Sequence, residues 1–353
     1  MKIAIVLGCR PEIIKFTSII RELEKRKIDY VLIHTGQHYS HEMDKVFFEE
    51  LKLPLPAYNL DVGSGSHGIQ TGKMMIALEP ILQKEKPDVI LVEGDTTSVL
   101  AGGLTAVKLG IKVGHVEAGL RSWDRDMPEE INRIVVDHIS DYLFAPTPGA
   151  VRNLLNEGIP PEKIYMTGNT IVDAIKSTED QKLLHVPNKY ILVTVHRPSN
   201  VDTKNDLANI LAGLGKIYNE FKIPLIFPVH PRTTKMMQQF GLDFPNGVNA
   251  TAPVGFLECL KLEKCADLVL TDSGGIQEEA CVLGIPSVTL RDNTERPETL
   301  EVGASVLSGN DPDEMLAAAI KMMGKSGWSP NVFGDGLAGE KIVSFLETCL
   351  QKK

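Results

Sequence analysis

The chain has 353 residues, of which 43% are hydrophobic and 24% charged, and its formal net charge is −9. That length supports two α/β domains with full cores, and the acidic balance argues against a nucleic-acid surface, so an anionic ligand has to be held by local donors. No apolar run approaches a membrane span, the amino terminus enters a strand without a signal-peptide pattern, and Cys9, Cys259, Cys265, Cys281 and Cys349 show no C-x-x-C spacing, which points to reduced cytosolic thiols with no structural zinc.

The first predicted element is a buried strand, KIAIVL at 2–7. Ile13, Phe16, Ile20 and Leu23 give the spacing of a helix over 12–26, followed by a strand at 30–34. A helix over 42–51 is stopped by Pro54 and Pro56, a polar glycine-rich loop covers 61–67, and a helix over 68–86 contains Pro80. Strands at 89–92, 113–116 and 142–145 alternate with helices over 98–109, 129–138 and 149–157. Such alternation predicts a mostly parallel sheet covered by helices. A glycine-containing turn over 164–169 places a domain boundary near Gly168, which gives domains 1–168 and 169–336. The second half restarts with strands at 190–195, 225–229 and 266–270 and helices over 204–221 and 276–283.

The halves resemble each other. One opens KIAIVLGCRP and the other KYILVTVHRP; later LVEGDTTSVL and LVLTDSGGIQ both run from a strand through an acidic turn into a helix. Two matched pairs in the same order predict two Rossmann-like domains facing each other, with ligand bound beyond the carboxyl ends of the strands in the cleft between them.

The strand ends carry the candidate chemistry. Ser273-Gly274-Gly275 joins a strand to a helix, a shape that offers backbone N–H groups to an anion. Gly8-Cys9-Arg10-Pro11-Glu12, with Lys15 one turn later, lacks the G-x-G-x-x-G spacing of a nicotinamide site. Acids follow the next two strands, Glu93 and Asp95 after one and Glu117 after the other; Glu117 caps nothing evident. Pro128, Glu129 and Glu130 suit the first turn of a helix. His196, His230, Glu279 and Arg296 lie at or beyond strand ends of the second half. Several carboxylates at one edge can separate their pKa values, which acid/base chemistry requires.

Taken together, GCRPEIIK (8–15), TGQHY (35–39), EGDTTS (93–98), GHVEAGLRS (114–122), PEEINR (128–133), TGNTIVDA (167–174), VHRPSN (195–200), PVHPR (228–232), LTDSGGIQEEA (270–280), RDNTERPE (291–298) and FGDG (333–336) span nearly the whole chain. In this the chain resembles the non-hydrolysing UDP-N-acetylglucosamine 2-epimerases. The resemblance implies a glycosyltransferase-B-like α/β fold, a homodimer, and a last helix over about 337–353 crossing back to the first domain. It implies no cofactor and no metal, a UDP-sugar as the partner, and a cytoplasmic enzyme. By the same resemblance Arg10, Lys15, His196, Ser273, Gly274, Gly275, Glu279 and Arg296 would hold UDP. Asp95, Glu117 and Glu129 would be the acid/base groups and Arg133 would position sugar or carboxylates. Relatives carry an aromatic residue shortly before the Ser-Gly-Gly turn to hold uracil; Phe256 is the nearest aromatic here, with Cys259 at the aligned place. Gln37, His38 and Gln70 match a second, activating sugar-nucleotide site of some relatives. The implied reaction is epimerisation at C2 through loss of UDP to a bound 2-acetamidoglucal. A hydrolysing epimerase, a glycosyltransferase and a silent nucleotide-sugar sensor share the scaffold.

Overall fold

The computed structural model describes residues 1–36, 47–178 and 187–350. The chain divides into two units, Met1–Thr178 with Phe333–Lys353, and Glu179–Val332. In the first unit Ile3 to Leu7 are all fully buried. A strand with water on one face would alternate; a continuous apolar run fits one covered on both faces, as in parallel sheets. It becomes the central strand β1 (Lys2–Leu7). With β2 (Asp29–His34), β3 (Tyr58–Asn59), β4 (Val89–Glu93), β5 (Lys112–Val116), β6 (Tyr142–Ala145) and β7 (Ile164–Met166) it forms a sheet in the order β3-β2-β1-β4-β5-β6-β7. All the pairings are parallel, with Ile3 beside Val89 and Ile5 beside Leu91 across β1 and β4.

The second unit repeats the plan with β8 (Ile191–Thr194), β9 (Leu225–Pro228), β10 (Val248–Thr251), β11 (Leu268–Thr271), β12 (Ser287–Thr289) and β13 (Ser305–Leu307), ordered β10-β9-β8-β11-β12-β13 and again parallel. Each unit therefore winds outward from its first strand in one direction and then in the other. The reversals fall between β1 and β4 and between β8 and β11. Chains diverge there and leave a crevice beyond the carboxyl ends of the strands.

The first unit runs past Gly168 to Thr178. Its helix Thr170–Lys176 is tied to the carboxyl-terminal helix Ala338–Leu350, because the Asp173 carboxylate accepts from the amides of Ala338 (3.2 Å) and Gly339 (2.9 Å). Those amides are among the first of a helix, which have no intrahelical acceptor. The same helix lies on Arg10–Arg26, where a Cβ at Gly339 would stand 2.8 Å from the backbone of Ser18 and Arg26 reaches Glu347 at 2.6 Å.

Residues 42–46 of the expected helix over 42–51 fall outside the described residues, as do Gln37 and His38, while 47–50 are helical. The sequence gives no strand at β3, β7, β10 or β13, which are two to four residues long; VNAT of β10 is exposed at three of its four positions. Such short edge strands carry neither an apolar run nor a period-2 pattern.

Candidate functional site

In the first unit the carboxyl ends of β1, β4 and β5 bring buried charge together. The helix Arg10–Arg26 begins at the end of β1, and its Glu12 turns back to accept from the amides of Gly8 and Cys9 and from the Thr96 hydroxyl. Burial outweighs these donors and pushes the Glu12 carboxyl up to about 7. One turn on, the Lys15 ammonium is buried against Glu117 and lies 3.1 Å from Glu93. Two carboxylates thus share one ammonium. Burial, only partly offset by Lys15 and reinforced by the charges of Glu117 and Glu12, raises Glu93 well above the usual carboxylate range. Glu117 also accepts from Asn169 Nδ2 at 3.1 Å.

Glu117 has φ +69°. A left-handed backbone costs an L-residue roughly 1–2 kcal/mol, so the surroundings must hold it there. Asp95 is gripped from one helix, Pro128–Ile139: Asn132 Nδ2 donates to its carbonyl at 2.8 Å, and the Arg133 guanidinium pairs with its carboxylate. Arg133 also holds Glu130 Oε2 at 2.5 Å, and Glu130 accepts from the Ser122 amide (3.0 Å), the Ser122 hydroxyl (2.9 Å) and the Trp123 amide (3.0 Å). Arginine suits this post because its planar fork serves two carboxylates at once.

In the second unit the turn after β11 starts the helix Gly274–Leu283. The Ser273 amide donates to Thr271 Oγ1 (3.0 Å), that of Ile276 to Ser273 Oγ (3.4 Å) and that of Gln277 to Ser273 O (3.0 Å). The amides of Gly274 and Gly275 are left with no partner among the described residues, at the positive end of a helix. Asp272, fully buried, fixes the neighbouring β8 end by accepting from the amides of His196 (2.9 Å) and Arg197 (2.8 Å) and from Asn200 Nδ2 (3.2 Å). Glu295 sits behind the turn, bridged by Arg291 (2.8 Å) and Arg197 (3.3 Å), and a Cβ on Gly274 would come within 2.2 Å of it. Arg296 is buried with its Nε on Glu278 at 3.0 Å. His196 stands with its ring centroid 5.3 Å from that of His230.

Residues 21–347 match the family model described as UDP-N-acetylglucosamine 2-epimerase. The chain belongs to the UDP-N-acetylglucosamine 2-epimerase family. It is 54% identical to the UDP-N-acetylglucosamine 2-epimerase of Methanocaldococcus jannaschii, covering 98% of this chain and 99% of that protein. It is 52% identical to the Methanococcus maripaludis enzyme of the same name, with 98% of each covered. The crystal structure of the M. jannaschii UDP-GlcNAc 2-epimerase in complex with UDP-GlcNAc and UDP superposes with a TM-score of 0.91 at 53% identity, over 99% of this chain and 100% of that one.

Family resemblance assigned Lys15 to the nucleotide, whereas its ammonium is engaged with Glu93 and Glu117. Of the acids after Pro128, Glu129 is exposed; Glu130, which the sequence suggested only as a helix-start acid, is fully buried and organises the Ser122 loop. A buried acid beside an exposed one has no signature in the string PEEINR, since both suit a first helical turn. Phe256 is 2% exposed, and Cys259 points to Glu263, its Sγ donating at 3.3 Å. Gln70 is buried and donates to the Gly63 carbonyl at 2.8 Å. Arg10 lies over the Phe47 ring at 5.1 Å, and Glu279 is buried with its carboxylate toward Gly275. Among the described residues no helix is long and apolar enough to cross a membrane.

Proposed function

We propose that this chain interconverts UDP-N-acetylglucosamine and UDP-N-acetylmannosamine without releasing free sugar. The observation that carries the reading is the pair of carboxylates at the ends of adjacent strands β4 and β5, Asp95 and Glu117, each held by a cation, Arg133 and Lys15. The hydrogen on C2 of the sugar is α to no carbonyl, so it is a poor acid and direct deprotonation is slow. Breaking the anomeric C–O bond first makes it acidic. The leaving UDP takes that electron pair, a carboxylate takes the C2 proton, and the C1–C2 double bond of 2-acetamidoglucal forms. Return of the proton on the opposite face, with re-addition of UDP, gives the epimer.

Each part has a holder. The Gly274 and Gly275 amides, with Arg10, Ser273, His196 and Arg296, would stabilise the diphosphate as it gains charge. Glu279 would accept from the ribose, and Phe256 marks the region of the uracil. Asp95, Glu117 and Glu129, from two turns and the start of a helix, would serve the two faces of the ring. Arg133 would orient Asp95, and Lys15 would hold Glu117 in place. We take the homodimer and the cytosol as the setting on the strength of the resemblance; light scattering that returned the mass of one chain would remove the dimer.

The test is to incubate the enzyme with UDP-N-acetylglucosamine in deuterated water and follow products by NMR. Deuterium at C2 of intact UDP-sugars is expected, and free N-acetylmannosamine or an unlabelled C2 would sink the reading. Asp95→Asn or Glu117→Gln should abolish exchange while UDP still binds.

A further inference from the structure

We propose that Asp137 is a positioning residue that sets the geometry of both the Asp95 loop and the Glu117 turn, acting through His115 and Gly119; the proposal rests on the epimerase reading. Asp137 lies on the Pro128–Ile139 helix, on the same buried face as Glu130 and Arg133, at the i, i+3, i+7 spacing that lines up one side of a helix. Buried helix faces are ordinarily apolar. This one is charged, and its groups lead to the two strand ends that carry Asp95 and Glu117.

Asp137 is fully buried and takes three donors. His115 Nδ1 lies at 2.7 Å from one oxygen, while Arg121 Nη1 (2.7 Å) and the Gly119 amide (3.1 Å) reach the other. Gly119 is two residues after Glu117, and its amide is the anchor that keeps the turn in shape. Its φ of +87° and the 2.5 Å from an added Cβ to the Ala150 carbonyl allow only glycine there. His115 carries the second arm. Its Nε2 lies 2.7 Å from the Gly94 carbonyl, which can only accept, so that nitrogen donates. Gly94 stands between Glu93 and Asp95, and its amide donates to Val116 O at 3.1 Å. The peptide that aims Asp95 is therefore tied at one end to the strand leading into Glu117 and at the other to Asp137 through the imidazole. Burial alone would raise the Asp137 carboxyl, but the charges and hydrogen bonds of His115 and Arg121 outweigh it and hold it below the usual carboxylate range. Arg121 is balanced in turn by Glu157 at 2.5 Å.

None of these groups needs to touch substrate. Their effect is on where two carboxylates point, and a misplacement of about 1 Å near reacting atoms costs on the order of 100-fold in rate. The test compares Asp137→Ala, Asp137→Asn, His115→Ala and Glu157→Gln. Asp137→Ala is expected to lower kcat about 100-fold with KM and UDP affinity within about threefold, the pattern of a lost transition-state geometry. Asp137→Asn keeps an acceptor for Gly119 and should recover about 10-fold of that loss. His115→Ala, which cuts only the Gly94 arm, should lower kcat about 10-fold, and it serves if Asp137→Ala does not fold. Glu157→Gln, at the other end of the same network, should change kcat by less than about threefold. Amide hydrogen exchange at Gly94 and Gly119, which needs no turnover, should quicken in Asp137→Ala and at Gly94 in His115→Ala. Unchanged protection there, or kcat within threefold in both alanine variants, would overturn the proposal. So would a loss of UDP affinity that matched the loss of kcat. Wild-type enzyme that left C2 unlabelled in deuterated water would instead overturn the epimerase reading alone.

Discussion

Lys15 and Glu117 stand 102 positions apart in the sequence and share a buried ion pair at the ends of β1 and β5. Neither is more than 8% exposed. Removing one member of such a pair leaves a buried charge without its counterion, while removing both charges is far milder.

Lys15→Met is therefore expected to lower stability by roughly 3 kcal/mol and kcat by at least about 100-fold. UDP affinity should stay within about threefold, since the ammonium faces carboxylates. Adding Glu117→Gln should restore much of the stability in denaturant unfolding but none of the activity. A collapse of UDP affinity in Lys15→Met, measured by calorimetry, would instead place Lys15 on the diphosphate.

Gly274 and Gly275 are adjacent yet should respond differently to alanine. The Gly274 methyl would meet Glu295 Oε1 at 2.2 Å, and Glu295 cannot yield freely because Arg291 and Arg197 hold it. Gly274→Ala should cost about 1–3 kcal/mol in thermal or urea unfolding. A methyl on Gly275 meets only Ser273 Oγ at 3.7 Å and Glu279 Oε1 at 3.8 Å, ordinary contacts. Gly275→Ala should keep stability within about 0.5 kcal/mol and weaken UDP binding at least about 10-fold, because its methyl projects between the two groups proposed to hold the nucleotide. Wild-type UDP affinity in Gly275→Ala would remove this turn from the diphosphate.

Glu12 gives a pH dependence with a definite sign. Its folded pKa, about 7, lies above the unfolded value of 4.5. A raised carboxyl pKa means that the folded state holds the proton more tightly. Its contribution is full below pH 4.5, is lost as pH rises through about 7, and is flat above that. The change is on the order of 3 kcal/mol. The stability of wild type relative to Glu12→Gln should fall by that order between these limits. Parallel unfolding curves for the two proteins from pH 5 to 8 would show that Glu12 does not hold its proton in the fold.

The sequence by itself determined the alternation of strands and helices, the repeat of the plan in two halves, and the acidic and small-residue turns at the strand ends. These are local properties: apolar runs, helical spacing and small-residue turns act over a few positions. The motifs in order also carried the family. Asp95, Glu117 and Ser273 to Gly275 could be singled out because an acid or a small-residue turn at the end of an apolar strand is visible in one window of sequence.

What tertiary structure decided is which charge meets which. Lys15 reads as one more helix base until β5 puts Glu117 against it. Glu129 and Glu130 read alike until the helix turns the second toward the Ser122 loop. Asp137 carries no signal of its own in the sequence, and only the packing of its helix beside β5 makes it the acceptor of His115, Arg121 and Gly119. Partner choice among buried charges depends on groups tens of residues apart brought within about 3 Å, where the absence of water makes pairing obligatory. Sequence spacing carries no record of that distance, so the family was legible in the chain and the electrostatic wiring of its buried charges was settled by the fold.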